Sequence, residues 1–111
     1  MIVLVCGGRD YKDRGAVYRE LDELQPTCVI SGAARGADTF AKDWAILNKV
    51  NLILVPAKWD KYGKSAGYKR NVEMLTFNPD RVVAFPGGKG TDMMVSLSHK
   101  EGVFVQDLRN I

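Results

Sequence analysis

The chain has 111 residues, 46% of them apolar and 26% charged, with a formal net charge of +3. That length and apolar share suit one domain with one core, and no apolar run is long enough to span a membrane. Two cysteines exclude a disulfide framework, and so mild a basic excess does not by itself argue for nucleic acid.

Residues 2–6 are continuously apolar and β-branched, as expected of a strand buried on both faces. The run is too short for a signal sequence and has no basic lead-in, so a first strand is expected. Cys6 and Cys28 end or begin apolar runs, so free buried thiols and a reducing, cytoplasmic compartment are expected. Gly7-Gly8-Arg9-Asp10 follows the first strand. The pattern then predicts a helix over residues 13–24, with Val17, Leu21 and Leu24 on one face, stopped by Gln25-Pro26.

Residues 28–30 read as the second strand. They empty into Ser31-Gly32-Ala33-Ala34-Arg35-Gly36-Ala37-Asp38. A helix to about residue 48 follows, its stripe made by Phe40, Trp44 and Leu47 with Ala37, Ala41 and Ala45 beside it, which makes Trp44 a core residue. Residues 51–55 form the third strand. The stretch from Pro56 is polar, aromatic and basic, and contains Lys58-Trp59-Asp60-Lys61-Tyr62-Gly63-Lys64. It is expected to begin as loop and to become helix after Lys64, continuing to about residue 76. Asn78-Pro79-Asp80 is a turn, and residues 81–85 are the fourth strand.

Pro86-Gly87-Gly88-Lys89-Gly90-Thr91 breaks that strand. Residues 91–100 form the last helix, and residues 103–105 a short final strand. Strand, glycine-rich turn, helix is an arrangement that seats anions, because the helix start offers unpaired N–H groups and a positive dipole end. The spacing is neither a Walker A loop nor the dinucleotide fingerprint. A tight turn with no ligand is the plain alternative.

Strands alternate with helices throughout, which predicts an α/β fold with a mainly parallel sheet of five strands and helices on both faces. Every loop after a strand then lies on one edge, where ligands bind near the point of strand-order reversal. Three such loops are glycine-rich, at Gly7-Gly8, Gly32 to Gly36 and Gly87 to Gly90. A fourth carries Trp59, Tyr62 and Lys64. Arg9, Arg35, Lys64 and Arg70 bring positive charge to this edge, and arginine's planar fork suits phosphate. As buried-loop arginines, Arg9 and Arg35 are expected to need an anion. Asp10, Asp38 and Asp92 share the edge; each could bond a ribose hydroxyl, act as acid or base, orient an arginine, or serve a helix N-terminus. Trp59 and Tyr62 could stack on a base or form an apolar lid. His99 stands alone, and no metal-ligand spacing is present.

Four motifs in order carry a resemblance over nearly the whole chain: Gly7-Gly8-Arg9-Asp10-Tyr11, Ser31 to Asp38, Ala66-Gly67-Tyr68-Lys69-Arg70-Asn71 with Met74, and Phe85 to Thr91. They resemble the YspA-related branch of the SLOG superfamily, which includes the lysine-decarboxylase-like phosphoribohydrolases and the DNA-processing protein family. The resemblance implies a Rossmann-like three-layer α/β/α sandwich, a nucleotide or ADP-ribose-like ligand, and a homo-oligomer. It carries ligand contact onto Gly7, Gly8, Arg9 and Asp10; onto Ser31, Gly32, Ala33, Arg35, Gly36 and Asp38; onto Arg70 and Asn71; and onto Pro86, Gly87, Gly88, Gly90 and Thr91. Trp59 and Lys64 join them from the reading of the fourth loop. The phosphoribohydrolase branch has Pro-Gly-Gly-x-Gly-Thr-x-x-Glu after an upstream arginine. Pro86 to Thr91 and Arg70 match it, with one extra residue between them, but Met94 stands at the glutamate and cannot exchange a proton.

Three readings follow: a nucleotide-binding module without chemistry; a hydrolase of a nucleotide-derived substrate using Asp38, Asp92 or Asp10 as acid or base with arginines holding phosphate; and, least favoured, a single-stranded nucleic acid binder working through the basic and aromatic fourth loop.

Overall fold

The structure, a computed structural model, describes residues 1–110. Its elements are β1 (Ile2–Cys6), α1 (Arg14–Leu24), β2 (Cys28–Ser31), α2 (Ala37–Leu47), β3 (Asn51–Leu54), the short α3 (Trp59–Tyr62), α4 (Ala66–Leu75), β4 (Arg81–Ala84), α5 (Lys89–Lys100) and β5 (Phe104–Asp107). The five strands form one sheet in the order β3-β2-β1-β4-β5. Every pairing is parallel. This is a Rossmann-like α/β fold.

Alternation along β1 explains the layers. Val3 and Val5 point to one face and Leu4 and Cys6 to the other, as the two-residue period of a strand requires. The first face packs with Val17 and Leu21 of α1 and Ala41, Trp44 and Ala45 of α2. The second packs with Met74 of α4 and Met94 and Val95 of α5. Asp13 caps α1 through its side chain, which accepts from the Ala16 N–H at 3.0 Å, leaving one less unpaired donor at the helix start. The buried Trp44 donates its indole N–H to Asp22 at 2.8 Å, which removes the cost of burying that donor. Among the described residues no helix is long and apolar enough to cross a membrane.

Several local readings are corrected. Leu47 is 70% exposed and not part of a buried stripe. At about 100° per residue it falls away from the face shared by Ala37, Ala41, Trp44 and Ala45. Trp59–Tyr62 is a turn of α-helix rather than loop, followed by a 3-10 turn over Gly63–Ser65. The last helix begins at Lys89, two residues early, because Gly88 rather than Thr91 marks its start. The final strand runs over Phe104–Asp107, in register with β4. Cys6 is buried but Cys28 is only half-buried.

Candidate functional site

The loops after β1, β2 and β4 interlock at the C-terminal edge of the sheet. The Gly8 N–H donates to the Pro86 carbonyl at 2.9 Å, and the Gly8 carbonyl accepts from Tyr11 at 3.2 Å and Ala37 at 3.4 Å. Gly36 sits at φ 80° with its backbone against the Gly8 and Arg9 carbonyls. A Cβ on Gly8 would lie 2.9 Å from the Gly87 Cα. These glycines are spent on packing one loop against the next. Gly88 and Gly90 differ: a Cβ on either would meet nothing within 4 Å, and both line the cleft beside the loops.

That cleft has a volume of about 740 Å³, within the roughly 300–1,000 Å³ of small-molecule sites. It opens between the ends of β1 and β4, where the chain order of the sheet reverses. Gly7, Gly8, Gly87 and Gly88 form its glycine wall, and residues of α4 also line it. No side chain caps the N-terminus of α5 beside it.

Arg70 and Asn71 tie the edge together from α4. Arg70 donates through one terminal nitrogen to the Gly32 carbonyl at 2.9 Å and through Nε to the Asn71 Oδ1 at 3.0 Å. Asn71 is buried and donates to the Gly90 carbonyl at 3.2 Å. Asp38, in the first turn of α2, is buried beside them, with one carboxyl oxygen accepting from the Ala34 N–H at 3.3 Å. The absence of a side chain on Gly32 leaves room for both groups: a Cβ there would stand 2.5 Å from an Arg70 nitrogen and 2.8 Å from an Asp38 oxygen.

Burial raises the Asp38 carboxyl from 3.8 to about 6, opposed by the Ala34 N–H and then by the charges of Arg70 and Arg9. Burial also lowers the Arg70 guanidinium, with Asp38 pulling the other way. The Cys6 thiol on the cleft floor is pushed up by burial and stays protonated.

A stability slope follows from Asp38. The folded state holds its proton more tightly than the unfolded chain does, so stability falls as pH rises from about 4 to about 6 and is level above. The pKa change corresponds to a cost on the order of 3 kcal/mol at neutral pH. Asp38→Asn keeps an acceptor for Ala34 and is expected to be more stable than wild type at pH 7.5 by about 1–3 kcal/mol, with the difference vanishing near pH 4. Urea midpoints at several pH values check this.

Another part of the cleft lining is aromatic and basic. The Arg9 guanidinium carbon lies 5.5 Å from the centre of the Trp59 ring, a cation–π distance. Trp59 is 48% exposed and, with Lys64, lines the cleft. Tyr62 lies outside that lining and carries Lys69 over its ring at 4.8 Å.

Of the residues singled out in the sequence, Gly7, Gly8, Arg9, Asp10, Asp38, Trp59, Lys64, Arg70, Asn71, Pro86, Gly87, Gly88, Gly90 and Thr91 surround this cleft. Gly32, Ala33 and Arg35 line a smaller hollow next to it. Ser31 and Gly36 lie behind: the Ser31 hydroxyl donates to the Asp38 carbonyl at 2.8 Å. Asp92 is turned away, accepting from Arg109 at 2.8 Å. Arg9 and Arg35 are exposed rather than buried; the arginine withdrawn from solvent is Arg70. Met94 is fully buried in the apolar cluster with Leu4 and Met74. Gly67, Tyr68 and Met74, which the sequence places only in the motif that carries the resemblance, line the cleft as well, as does Met93, which no motif includes. The spacing of Gly67, Arg70, Asn71 and Met74 puts them on one helical face, a signal that was available.

Among the described residues no group of three or more His, Cys, Asp or Glu is placed to hold a metal ion. The family model described as YspA, cpYpsA-related SLOG family matches residues 1–62. The chain is 37% identical over 113 residues to the "Gene 61 protein" of Mycobacterium phage D29, covering 91% of this chain and 90% of that protein. No solved structure matches it.

Proposed function

The chain belongs to the YspA, cpYpsA-related SLOG family, and on that premise we propose that it binds a nucleotide or nucleotide-derived, ADP-ribose-like ligand in the glycine-walled cleft. The observation that carries this is the presence of two complementary sets of groups in one cleft. Gly88 and Gly90 offer open backbone at an uncapped helix N-terminus, suited to phosphate oxygens. Trp59, Arg9 and Lys64 stand in the same cleft, suited to a base face and to further negative charge.

Binding without chemistry is the primary reading. Position 94, where the hydrolase relatives carry glutamate, is occupied by a methionine inside the core. A carboxylate there would have to be desolvated among apolar side chains. One observation favours hydrolysis of a nucleotide-derived substrate as the second reading. Asp38 lies in the cleft with its carboxyl raised to about 6, close to what a general acid or base needs at neutral pH.

Freshly purified protein, denatured and analysed by mass spectrometry, is expected to release a phosphate-bearing nucleotide, and calorimetry with that compound should give one site per chain. Incubation with AMP, GMP, CMP and UMP is expected to release no free base above background by chromatography. Base release that disappears in Asp38→Asn would replace the binding reading with the hydrolase one.

A further inference from the structure

Asp38 is 6% exposed and lines the main cleft. One of its carboxyl oxygens accepts from the Ala34 N–H; the other has no hydrogen-bond partner among the described residues. No fully buried side-chain nitrogen or oxygen among those residues lacks a partner. The second oxygen therefore keeps a little open surface, and the cleft is the space that Asp38 borders. Arg70 stands beside it: the point where a Gly32 Cβ would lie is 2.5 Å from one and 2.8 Å from the other. Yet the two form no ion pair. Arg70 gives Nε to Asn71 and one terminal nitrogen to the Gly32 carbonyl, both neutral acceptors. Its other terminal nitrogen has no partner among the described residues.

We infer that Asp38 meets the ligand's anionic group as a neutral acid, donating a hydrogen bond from its free oxygen beside Arg70, so that the site takes up one proton from solvent as it binds. This deepens the nucleotide reading and rests on it. An anion drawn to the open nitrogen of Arg70 also comes up against Asp38. A carboxylate and a phosphate oxygen in one water-poor site cannot both stay bare anions, and one proton held between them removes the clash. Protonating Asp38 breaks no ion pair, and burial has already raised its carboxyl to about 6. The charged or titratable groups that face it among the described residues are Arg70 from α4, Arg9 from the loop after β1, and the Cys6 thiol of β1. The two arginines favour its charged form in the free protein, and a bound anion offsets both. Affinity should therefore fall as pH rises above about 6, by up to about tenfold per pH unit for one proton.

Calorimetry in two buffers of different ionisation heat counts the protons. The probes are AMP and ADP-ribose at pH 7.5, where Asp38 and the AMP phosphate both start largely ionised. Wild type is expected to take up close to one proton with either probe. The pyrophosphate of ADP-ribose has no proton to lend near neutral pH, so uptake with that probe belongs to the protein. Asp38→Asn is expected to take up almost none, to lose the fall in affinity between pH 7 and pH 8, and to bind more tightly than wild type at pH 8. A merely structural role for Asp38 would change affinity without moving the proton count. Wild type that binds with no proton uptake, or Asp38→Asn that takes up as much as wild type, overturns the neutral-acid inference alone. Wild type that binds neither probe from pH 5.5 to pH 8 overturns the nucleotide reading as well.

Discussion

Gly36→Ala is expected to destabilise the protein by roughly 2–6 kcal/mol, the sum of a backbone and an overpacking cost. Gly36 has φ 80° and ψ −133°, a region that residues with a side chain enter only with strain. Its Cβ would also run into the Gly8 carbonyl and come within 2.7 Å of the Arg9 carbonyl. Both are backbone atoms that cannot rotate aside, so the loops after β1 and β2 would have to separate. Gly88→Ala is the matched comparison. Gly88 has φ −104° and ψ −148°, extended backbone open to any residue, and its Cβ would face empty space. Its stability is expected to change by less than about 1 kcal/mol, while its new methyl group narrows the cleft and weakens ligand binding. Urea denaturation separates the two. Equal losses in both variants would mean that Gly36 is not a packing glycine.

Arg70→Ala is expected to cost about ten- to hundredfold in affinity for a phosphate-bearing nucleotide, the range for a charge-assisted hydrogen bond. Arg70 lines both spaces, and its bonds to Gly32 and Asn71 hold its fork in place before a ligand arrives. Removing it leaves the Gly32 carbonyl and Asn71 Oδ1 without their donor. It also removes a charge that lowers the Asp38 carboxyl, which should rise above its present value of about 6. Arg70→Lys is expected to restore little, because an ammonium on a flexible stem cannot reproduce two fixed donors and still face a ligand. Calorimetry on variants that keep a cooperative melt decides. Wild-type affinity in Arg70→Ala would remove this residue from the site.

The sequence by itself determined the alternation of the five strands with the four longer helices and the edge that bears the loops. Both follow from local chemistry: apolar runs of strand length, helix-period stripes and glycines that interrupt them. Because parallel strands bring every strand-to-helix loop to one edge, the meeting of the Gly7, Gly32 and Gly87 loops was legible without coordinates. What charge and spacing could not show was which arginine is withdrawn from water. Arg35 and Arg70 look alike in a list of residues, but α4 packs on the sheet and brings Arg70 to the Gly32 carbonyl, 38 positions away in the chain. Asp38 and Asp92 were equivalent candidates for the same reason. Asp38 became the buried one because α2 starts beneath the Gly32 loop, whereas Asp92 was turned outward to Arg109, beyond β5. Leu47 belonged to a plausible stripe until the position of the sheet selected another face of α2. Each of these choices depends on contacts between segments distant in the chain. Such contacts arise only when the strand order is settled, and local pattern carries no record of that order.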